Sequence, residues 1–458
     1  MKNNQSLESI RKNVFYGSKE YTKNQPDLFL PHKFQFIAPT QMNAFLENVK
    51  QSLIEDEFLL YVHLPFCFSE CIFCNSFPHK TSRQLQQDYL ESLLKEIDLF
   101  SNTGLFQGKK VKCIYFGGGT PTAFSNPDLQ RILEKIRSRM DGAQNCNTTC
   151  EAHPTTLSDT NRIKELAHMG IDRISLGCQT FDPDVLKCCN RFHTQDLIKT
   201  IIACAQEAGI KTNIDMMTGL PGQSLDSVKK DLAILETIRT NSIEYIRHEI
   251  VNPKIIALYR EKPDLVVTDD SLFEMVYLTQ TWMEEHGYEQ NGRFSNKNQW
   301  EYRYYWLKEM PIIAFGSRSR SYTRSLCYDK HEDLSLYMLS IQKGIPPIAR
   351  YIAFNQKEQM TRSLFLSLQL KSGLDIQQFQ TRFHENPLDT FAPLIEKLSE
   401  YGCIEVDKHS IHLTTNGSYF VEDVCDYIMD NILQDESGDH VRTPHSEGRT
   451  SKRLSGRL

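Results

Sequence analysis

The sequence predicts an α/β protein built from a closed or partly closed β/α barrel followed by a winged-helix-like C-terminal module. Between Phe58 and Val251, short apolar runs alternate with longer amphipathic ones, a pattern typical of parallel strands joined by helical crossovers. Beyond Asn252 this alternation stops, and toward the C-terminus several helical patterns precede a small hairpin pattern. The 458 residues suffice for about three domains.

Six strands and five helices are predicted in the barrel region. The strands are short apolar runs: Phe58–Pro65, Val111–Phe116, Thr148–Ala152, Arg173–Cys178, Thr212–Met217 and Ile243–Ile250. The helices between them are Ser82–Leu99, Pro127–Met140, Ser158–Met169, Thr194–Ala208 and Ser224–Ile238, with Ser158 and Ser224 as N-caps and Gly170 and Gly209 as C-terminal stops. Such parallel strands form a sheet that is buried on both faces. The chemistry of a β/α barrel lies at the C-terminal ends of its strands.

The remainder of the chain divides into an extension, a C-terminal module and a tail. The extension contains a long helix, Thr268–Gly287, a polar segment, Asn291–Arg303, an apolar turn, Pro311–Phe315, and a helix, Asp333–Lys343. The module contains helices Met360–Leu370, Ile376–Phe383 and Pro387–Tyr401, hairpin strands Ile404–Val406 and Ile411–Thr414, and helix Tyr419–Leu433. The predicted domains are an N-terminal extension 1–50, the barrel 51–251, a barrel extension 252–355 that covers the site, the winged-helix-like domain 356–433, and a tail 434–458 whose composition predicts disorder.

The composition argues against two broad classes of function. The net charge of −6 provides no overall basic field, so nucleic acid is not an expected partner. No apolar run reaches the roughly 20 residues that cross a bilayer, and the N-terminus lacks the apolar core of a secretory signal. Thirteen cysteines, an odd number, fit reduced thiols in the cytoplasm better than a complete set of disulfides.

Three cysteines stand apart from the others because they lie close together in one loop. Cys67, Cys71 and Cys74 directly follow the first barrel strand, and thiolates are the usual ligands of iron–sulfur clusters. Since a 4Fe-4S cluster has one iron more than this loop has cysteines, one iron would stay open to a small molecule. A zinc site, with His63 or His79 as a further ligand, is the alternative for the same loop.

A family resemblance extends from this loop through the barrel. Tyr61-Val-His-Leu-Pro-Phe-Cys67, with the three-cysteine loop, resembles the radical S-adenosylmethionine (SAM) superfamily, most closely the branch of oxygen-independent coproporphyrinogen III oxidase and its relatives. Further motifs follow in the family's order: Phe116-Gly117-Gly118-Gly119-Thr120-Pro121-Thr122, Glu151-Ala-His-Pro154, Arg173-Ile-Ser-Leu-Gly177-Cys-Gln179, Asn190-Arg191 and Asn213-Ile-Asp215-Met-Met-Thr-Gly219-Leu-Pro221-Gly222. The similarity spans residues 58–430. So many motifs in the family's order are not a chance match.

The resemblance implies a partial (β/α)6 TIM-like barrel, a 4Fe-4S cluster on the three cysteines, and SAM as cofactor. Glu151 would contact SAM near its ribose or amino end, Arg191 would pair with its carboxylate, and Gln179 and Asp215 would line the pocket. The full set of implied SAM contacts is Tyr61, Gly118, Gly119, Thr120, Glu151, Gln179, Arg191 and Asp215. The glycines would let the backbone approach the cofactor, although a tight turn would also need them. In the family a reduced cluster cleaves SAM to start radical chemistry, with a donor such as flavodoxin or ferredoxin.

Two departures from the family's motifs bear on the reaction. Ser76 stands where the coproporphyrinogen oxidase pattern has a fourth cysteine, which weakens that assignment. The heme-chaperone branch has a His-Asn-x-x-Tyr-Trp motif, whereas this chain has Glu301-Tyr-Arg-Tyr-Tyr-Trp306. Without the motif histidine, heme iron would need another ligand, such as His248 or His286.

A third branch, that of class C radical methyltransferases and anaerobic heme-opening enzymes, uses two SAM molecules. The turn Phe315-Gly-Ser-Arg-Ser-Arg-Ser321 resembles the turn that approaches the second SAM. Arg318, Ser319 and Arg320 are therefore candidates for a second SAM or for substrate. The arginines suit carboxylates such as tetrapyrrole propionates; the alternative is that they are solvated surface residues.

Two functions of different classes follow from these motifs. The first is a radical SAM enzyme, a methyltransferase or an oxidoreductase, that acts on an organic or tetrapyrrole substrate; oxygen-independent coproporphyrinogen III oxidase activity belongs to this class. The second is a heme chaperone that retains the cluster and the SAM site and binds heme as well.

Overall fold

The computed structural model describes residues 2–16, 34–76, 79–80, 82–291, 293–295 and 300–437. The strands are β1 Gln35–Phe36, β2 Glu57–Leu64, β3 Phe66–Cys67, β4 His79–Lys80, β5 Lys110–Gly118, β6 Asn147–Ala152, β7 Arg173–Gln179, β8 Lys211–Thr218, β9 Ser242–Arg247, β10 Glu289–Asn291, β11 Arg293–Ser295, β12 Ile312–Phe315, β13 Arg320–Tyr322, β14 Leu326–Lys330, β15 Ile348–Ala353, β16 Leu374–Asp375, β17 Ile404–Val406 and β18 Ser410–Leu413. The helices are α1 Lys2–Ile10, α2 Met42–Ser52, α3 Arg83–Ser101, α4 Asn126–Arg139, α5 Asn161–His168, α6 Pro183–Cys188, α7 Gln195–Glu207, α8 Leu225–Glu236, α9 Pro253–Glu261, α10 Asp269–Glu285, α11 Glu301–Leu307, α12 Leu334–Gln342, α13 Gln356–Ser367, α14 Ile376–Phe383, α15 Pro387–Thr390, α16 Ala392–Glu400, α17 Thr415–Tyr419 and α18 Val421–Ser437.

Parallel strands form the centre of the main sheet. The order β12-β2-β5-β6-β7-β8-β9 is parallel throughout. Strands β13, β14, β15 and β1 extend one edge in antiparallel fashion, and β11 and β10 extend the other. Helices α3, α4, α5, α7 and α8 connect the successive parallel strands from β2 to β9. The predicted α/β class and partial TIM-like barrel are confirmed, with β12 as an additional parallel strand.

Two strand predictions need correction. The segment Pro311–Phe315, predicted as a turn, contains β12, in which Ile312 pairs with Leu59 of the first barrel strand. The segment Ile243–Ile250 stops being a strand at Arg247, because Thr218, its partner there, is the last residue of β8. Both errors concern pairing between distant segments, which local patterns do not reveal.

Helix boundaries follow the capping signals in most places. The hydroxyls of Ser82, Thr194 and Ser224 accept hydrogen bonds from amides in the first helical turn. The prediction that Ser158 caps a helix was wrong, because a 3₁₀ turn ends there and α5 begins after Thr160. The sequence prediction also omitted the short helix α6, which Asp182 caps. The helix predicted over Pro387–Tyr401 is split at Phe391, because the proline two positions later has no N–H to continue it.

The C-terminal helices and the small sheet β16-β18-β17 pack against the barrel. Arg247, at the end of β9, forms a buried ion pair with Asp423 of α18 at 2.7 Å. A second hydrophobic cluster joins barrel residues such as Leu59 and Ile312 to Phe365 and Met429 of this module. The barrel and the C-terminal module therefore share an apolar cluster.

The last part of the chain is only partly described. Helix α18 extends to Ser437, past the residue at which the disordered tail was predicted to begin, and residues 438–458 lie outside the described residues. Among the helices that the structure describes, none has the length and apolar character required to traverse a membrane.

Candidate functional site

The cysteine loop leaves the first barrel strand beside the glycine-rich end of β5. Cys67 Sγ lies 3.1 Å from the Thr120 hydroxyl oxygen. The Arg191 guanidinium donates a hydrogen bond to Cys71 Sγ at 3.2 Å, and the Cys74 amide donates to the Cys71 carbonyl at 3.1 Å. All of these thiols are partly buried. The structure therefore brings the three cysteines together at the C-terminal ends of the parallel strands.

Side chains from two other segments hold the backbone of this loop. Asn190, which has a left-handed backbone with φ +59°, donates to the Glu70 carbonyl at 2.8 Å. Asn252 donates to the Cys74 carbonyl, also at 2.8 Å. The Glu70 carboxylate pairs with Lys254 at 2.5 Å. The loop is thus fixed from outside, independently of its thiols.

The donor set of the loop fits an iron–sulfur cluster. Burial raises the pKa of the Cys67 thiol to about 12, and the hydrogen bond with Thr120 opposes this shift only in part. A thiolate here needs positive charge nearby, which iron ions supply and which the buried Arg191 adds. Three thiolates on one loop match the donor set of a 4Fe-4S cluster, in which each thiolate binds its own iron.

The glycine run packs against the backbone that leads into the cysteine loop. A Cβ on Gly119 would lie 2.8 Å from the Phe66 carbonyl oxygen, and one on Gly118 would lie 2.9 Å from that of Leu64. The Gly119 amide donates to Leu64 and the Thr120 amide to Phe66, at 3.0 and 2.9 Å. Gly118 also has φ +121°, which disfavours any other residue. Close packing of two chain segments therefore accounts for these glycines.

Two candidate SAM carboxylates point into the barrel and are held by hydrogen bonds. Glu151 accepts from the Tyr115 hydroxyl at 2.7 Å and from the Gly118 amide at 3.2 Å. Burial raises the pKa of Glu151 to about 7, although both hydrogen bonds lower it. Asp215 accepts from the Asn213 side chain at 2.6 Å. Each carboxylate therefore has a fixed orientation.

Gln179 and Arg191 carry unsatisfied polar atoms. Gln179 ends β7 next to a β-bulge, with φ +77°. Its Oε1 and the Nε of Arg191 are buried and have no hydrogen-bond partner in the described part of the chain. Arg191 also donates to the Gly177 carbonyl. Buried atoms of this kind usually have a partner, so they mark a place where a ligand's polar groups would fit.

A cavity of about 580 Å³ lies beside the cysteine loop. Three candidate SAM residues line it, namely Tyr61, Glu151 and Asp215, as do all three candidates for a second SAM or substrate, Arg318, Ser319 and Arg320. Asn75 and Ser76, which follow the last cysteine, line it as well. The other SAM candidates, Gly118, Gly119, Thr120, Gln179 and Arg191, are not among these lining residues. The volume is in the usual range for small-molecule sites.

The two arginines of the second set are held by protein groups. Arg318, with φ +60°, donates to the Ser76 carbonyl at 2.8 Å. Arg320 binds the Asp329 carboxylate through two nitrogens, one of them at 2.8 Å. Both residues are partly buried, and each is held by another segment of the chain. A carboxylate ligand would have to compete with Asp329 for Arg320.

Aromatic rings form one wall of the cavity. Tyr115 stacks on Tyr61 and on Trp300, each with ring centroids 5.9 Å apart, and it contacts Tyr302 at 4.9 Å. Tyr302 and Trp306 belong to α11, which carries the segment compared above with the heme-chaperone motif. Stacked rings of this kind are a surface on which a flat conjugated ligand packs.

The histidines considered as heme ligands lie elsewhere. His248 is buried and its Nδ1 lies 3.0 Å from the Gly219 carbonyl, while His286 stacks on Trp282 at 4.1 Å. Neither is among the residues that line the cavity, whereas His63 is. Burial, together with the charge of Arg318, lowers the pKa of His63 to about 3, so its imidazole is neutral.

Sequence reasoning missed several residues of the cavity wall. Tyr115, Glu244, Trp300, Asp329 and Lys330 line it but were not singled out. Glu244 could have been found, because an acidic residue interrupts the apolar strand β9 and pairs in register with Asp215. Tyr115 lies on the predicted strand β5 but carries no motif of its own, and Trp300, Asp329 and Lys330 come from segments whose approach to the barrel no local motif indicates.

Comparisons with known proteins agree with this geometry. The family model described as the radical SAM superfamily matches residues 61–235, and that of the HemN C-terminal domain matches residues 354–420. The heme chaperone HemW of Escherichia coli is 31% identical over 234 residues, which cover 50% of this chain and 60% of that protein. The oxygen-independent coproporphyrinogen III oxidase of Escherichia coli is 24% identical, over 90% of this chain and 92% of that one. The solved structure of coproporphyrinogen III oxidase (HemN) from Escherichia coli superposes with a TM-score of 0.76 at 23% identity, covering 93% and 99% of the two chains.

The fold, the cysteine loop and these matches define a radical SAM protein. Within that superfamily the matches of the chain lie in the HemN/HemW-like branch. The superfamily implies a 4Fe-4S cluster and SAM. The residues present fit both groups, because the thiols share one fixed loop and unsatisfied buried atoms of Gln179 and Arg191 lie beside it.

Proposed function

We propose that the chain is an enzyme that uses a 4Fe-4S cluster on Cys67, Cys71 and Cys74, together with SAM, to modify a tetrapyrrole in the adjoining cavity. When reduced by one electron from a donor such as flavodoxin or ferredoxin, the cluster supplies reductive cleavage of a carbon–sulfur bond of SAM. The observation that carries the proposal is the shared space: Asn75 and Ser76, directly after the last cysteine, line the same cavity as Glu151 and Arg318.

The protein's own residues would bind and orient SAM. Glu151 and Asp215, held by Tyr115 and Asn213, would accept hydrogen bonds from the amino and ribose groups. Arg191 would direct its Nε to the carboxylate of SAM. Because a guanidinium keeps its charge in a buried site, this contact would be retained when water is excluded.

The cavity suits a flat, conjugated ligand that carries a carboxylate near Arg318. One wall is aromatic, through Tyr61, Tyr115 and Trp300, and Arg318 lies on the lining, as does Arg320, which is paired with Asp329. Residues 252–355 contribute these arginines, which agrees with a proposed role for that segment in covering the site. The names of two relatives, a coproporphyrinogen III oxidase and a heme chaperone, support a tetrapyrrole as the ligand.

Anaerobic reconstitution with iron, sulfide and SAM tests the proposal. With a reductant and a panel of porphyrinogens, porphyrins and heme, we expect formation of 5′-deoxyadenosine that depends on the tetrapyrrole. S-Adenosylhomocysteine together with a methylated product would identify C-methylation, and carbon dioxide would identify oxidative decarboxylation. Cys71→Ser should abolish both turnover and the absorption of the cluster near 400 nm, whereas Cys204→Ser, on the remote helix α7, should retain them. SAM cleavage at a rate that no tetrapyrrole of the panel changes would contradict the proposal.

A second candidate, heme carriage without turnover, is favoured by His63. Its imidazole is neutral and lies on the cavity wall, and neutral imidazole is a common iron ligand. A carrier would bind one heme, shift its Soret band in a manner that His63→Ala removes, and deliver the heme without consuming SAM. Substrate-dependent SAM cleavage would instead identify the enzyme.

A further inference from the structure

Helix α3 lies outside the sheet, yet one of its carboxylates is completely buried. Glu96 has no exposed surface and forms an ion pair with Lys330, which is also buried. The other carboxylate oxygen accepts from the Gly316 amide at 2.8 Å and from the Tyr337 hydroxyl at 2.6 Å. A buried charge is retained only where its partners compensate for the lost hydration. Here every partner is internal.

Tyr89, two helical turns earlier on α3, reaches the same turn. Its hydroxyl donates to the His63 carbonyl at 2.7 Å and accepts from the Ser317 amide at 3.0 Å. Successive amides of the turn that begins at Gly316 are therefore held by two side chains of one helix. The same tyrosine fixes the turn relative to the end of the first barrel strand.

The turn itself has a backbone that would not persist without support. Gly316 has φ +100°, and a Cβ there would collide with the Tyr89 hydroxyl and the His63 carbonyl. Arg318 has φ +60°, a conformation that is costly for a residue other than glycine unless the surroundings impose it. The Arg318 amide donates to the His331 carbonyl at 2.9 Å, and the hydrogen bonds from α3 hold the two amides that precede it.

The turn ends in a contact with the cysteine loop. Arg318 donates to the Ser76 carbonyl at 2.8 Å, two residues after Cys74, and both residues line the cavity. A continuous series of hydrogen bonds therefore runs from Glu96 through the turn to the segment that follows the last cysteine.

We infer that Glu96 is a positioning residue: it fixes the turn Gly316–Arg318 and, through Arg318, the segment that follows Cys74. The inference rests on the proposed function only for its catalytic consequence. The positioning itself is a property of the protein without cofactors and can be measured there.

A matched pair of double variants isolates the hydrogen bond from the ion pair. Both carry Lys330→Met, which removes the buried cation; one has Glu96→Gln, which keeps an acceptor for the Gly316 amide, and the other has Glu96→Leu, which does not. Because neither leaves an unpaired buried charge, both should fold. The amide of Gly316 should exchange with deuterium about tenfold faster in the leucine variant, because it has lost its buried acceptor.

Two further measurements follow the series to the cysteine loop. After anaerobic reconstitution, the leucine variant and Arg318→Ala should both lose iron to a chelator faster than the glutamine variant. Asp98→Asn, which breaks partly exposed ion pairs from the same helix to α4, should change neither the deuterium exchange of the Gly316 amide nor iron loss. Should the leucine variant fail to fold, Tyr89→Phe removes the hydroxyl that holds Ser317, and faster exchange at that amide is expected.

Each outcome decides between the claims. Equal rates of deuterium exchange at the Gly316 amide in the two double variants would overturn the positioning role of Glu96. Faster exchange with unchanged iron loss would overturn the link through Arg318. If the exchange difference appears but wild-type protein never cleaves SAM, the proposed function fails and the positioning role stands.

Discussion

The buried ion pair between Arg247 and Asp423 makes a quantitative prediction about how the C-terminal module is held. The side chains are 5% and 2% exposed, and their charged atoms are 2.7 Å apart. Replacing Asp423 with alanine leaves a buried arginine without its main partner, which typically lowers the free energy of unfolding by about 3–5 kcal/mol. Arg247 would keep Glu422 at 4.0 Å and the ring of Phe15 at 5.7 Å. We therefore expect a loss near the lower end, about 3 kcal/mol.

Urea unfolding of the cofactor-free protein, followed by circular dichroism and tryptophan fluorescence, measures this loss. Glu289→Gln is the matched control, because Glu289 and Lys371 form an exposed pair across the same junction and such pairs contribute about 0–1 kcal/mol. The double variant Arg247→Met with Asp423→Leu should stay within about 1 kcal/mol of wild type, because no buried charge is left unpaired. An Asp423→Ala loss no larger than that of the control would refute the reasoning.

Three further predictions concern the site. Gly119→Ala should cost about 1–3 kcal/mol and lower the bound iron, because its Cβ would meet the Phe66 backbone. Gly108→Ala, where a Cβ has no neighbour within 4 Å but φ is +73°, should lower stability through the backbone alone and leave the bound iron unchanged. The pKa of Glu151 rises from 4.5 to about 7 on burial, so between these pH values the folded state holds a proton that the unfolded chain releases. Stability should therefore fall as the pH rises from about 4.5 to about 7. Thermal unfolding should show a flatter profile for Glu151→Gln, and an identical profile would contradict the assignment. Trp300→Leu should weaken porphyrin binding about tenfold through lost stacking, measured by absorbance titration. An unchanged affinity would show that the aromatic wall does not contact the porphyrin.

The elements that the sequence predicted well are those whose signals are local. The strands from Phe58 to Arg247 follow runs of apolar residues, and Thr194 and Ser224 cap the helices that they were expected to begin. Strand β12 was missed because four apolar residues become a strand only through pairing with Leu59 and its neighbours, more than 250 positions away in the sequence. Local patterns cannot report a partner at that distance.

The candidate site shows the same difference between residues with local signals and residues without them. The cysteine loop was visible because its chemistry lies in one short segment, whereas the cavity wall was not. Arg318 and Arg320 were found as a pair of like residues, yet the structure separates their roles: Arg320 is bound by Asp329, and Arg318 contacts Ser76. Only the three-dimensional partners distinguish a compensated charge from one that reaches the cysteine loop.

The glycine run and the cysteine loop are best understood as one structural unit. Had the glycines served only to admit a cofactor, a Cβ on them would project into open space. Instead, a Cβ on Gly119 would lie within 3.0 Å of three backbone atoms of Phe66, and Thr120 bonds both the Phe66 carbonyl and the Cys67 thiol. The glycine motif and the cysteine motif are thus in contact, and the end of β5 sets the position of the first cysteine. A substitution there would displace Cys67 first, so under the proposed function iron retention measures the motif's role more directly than turnover does.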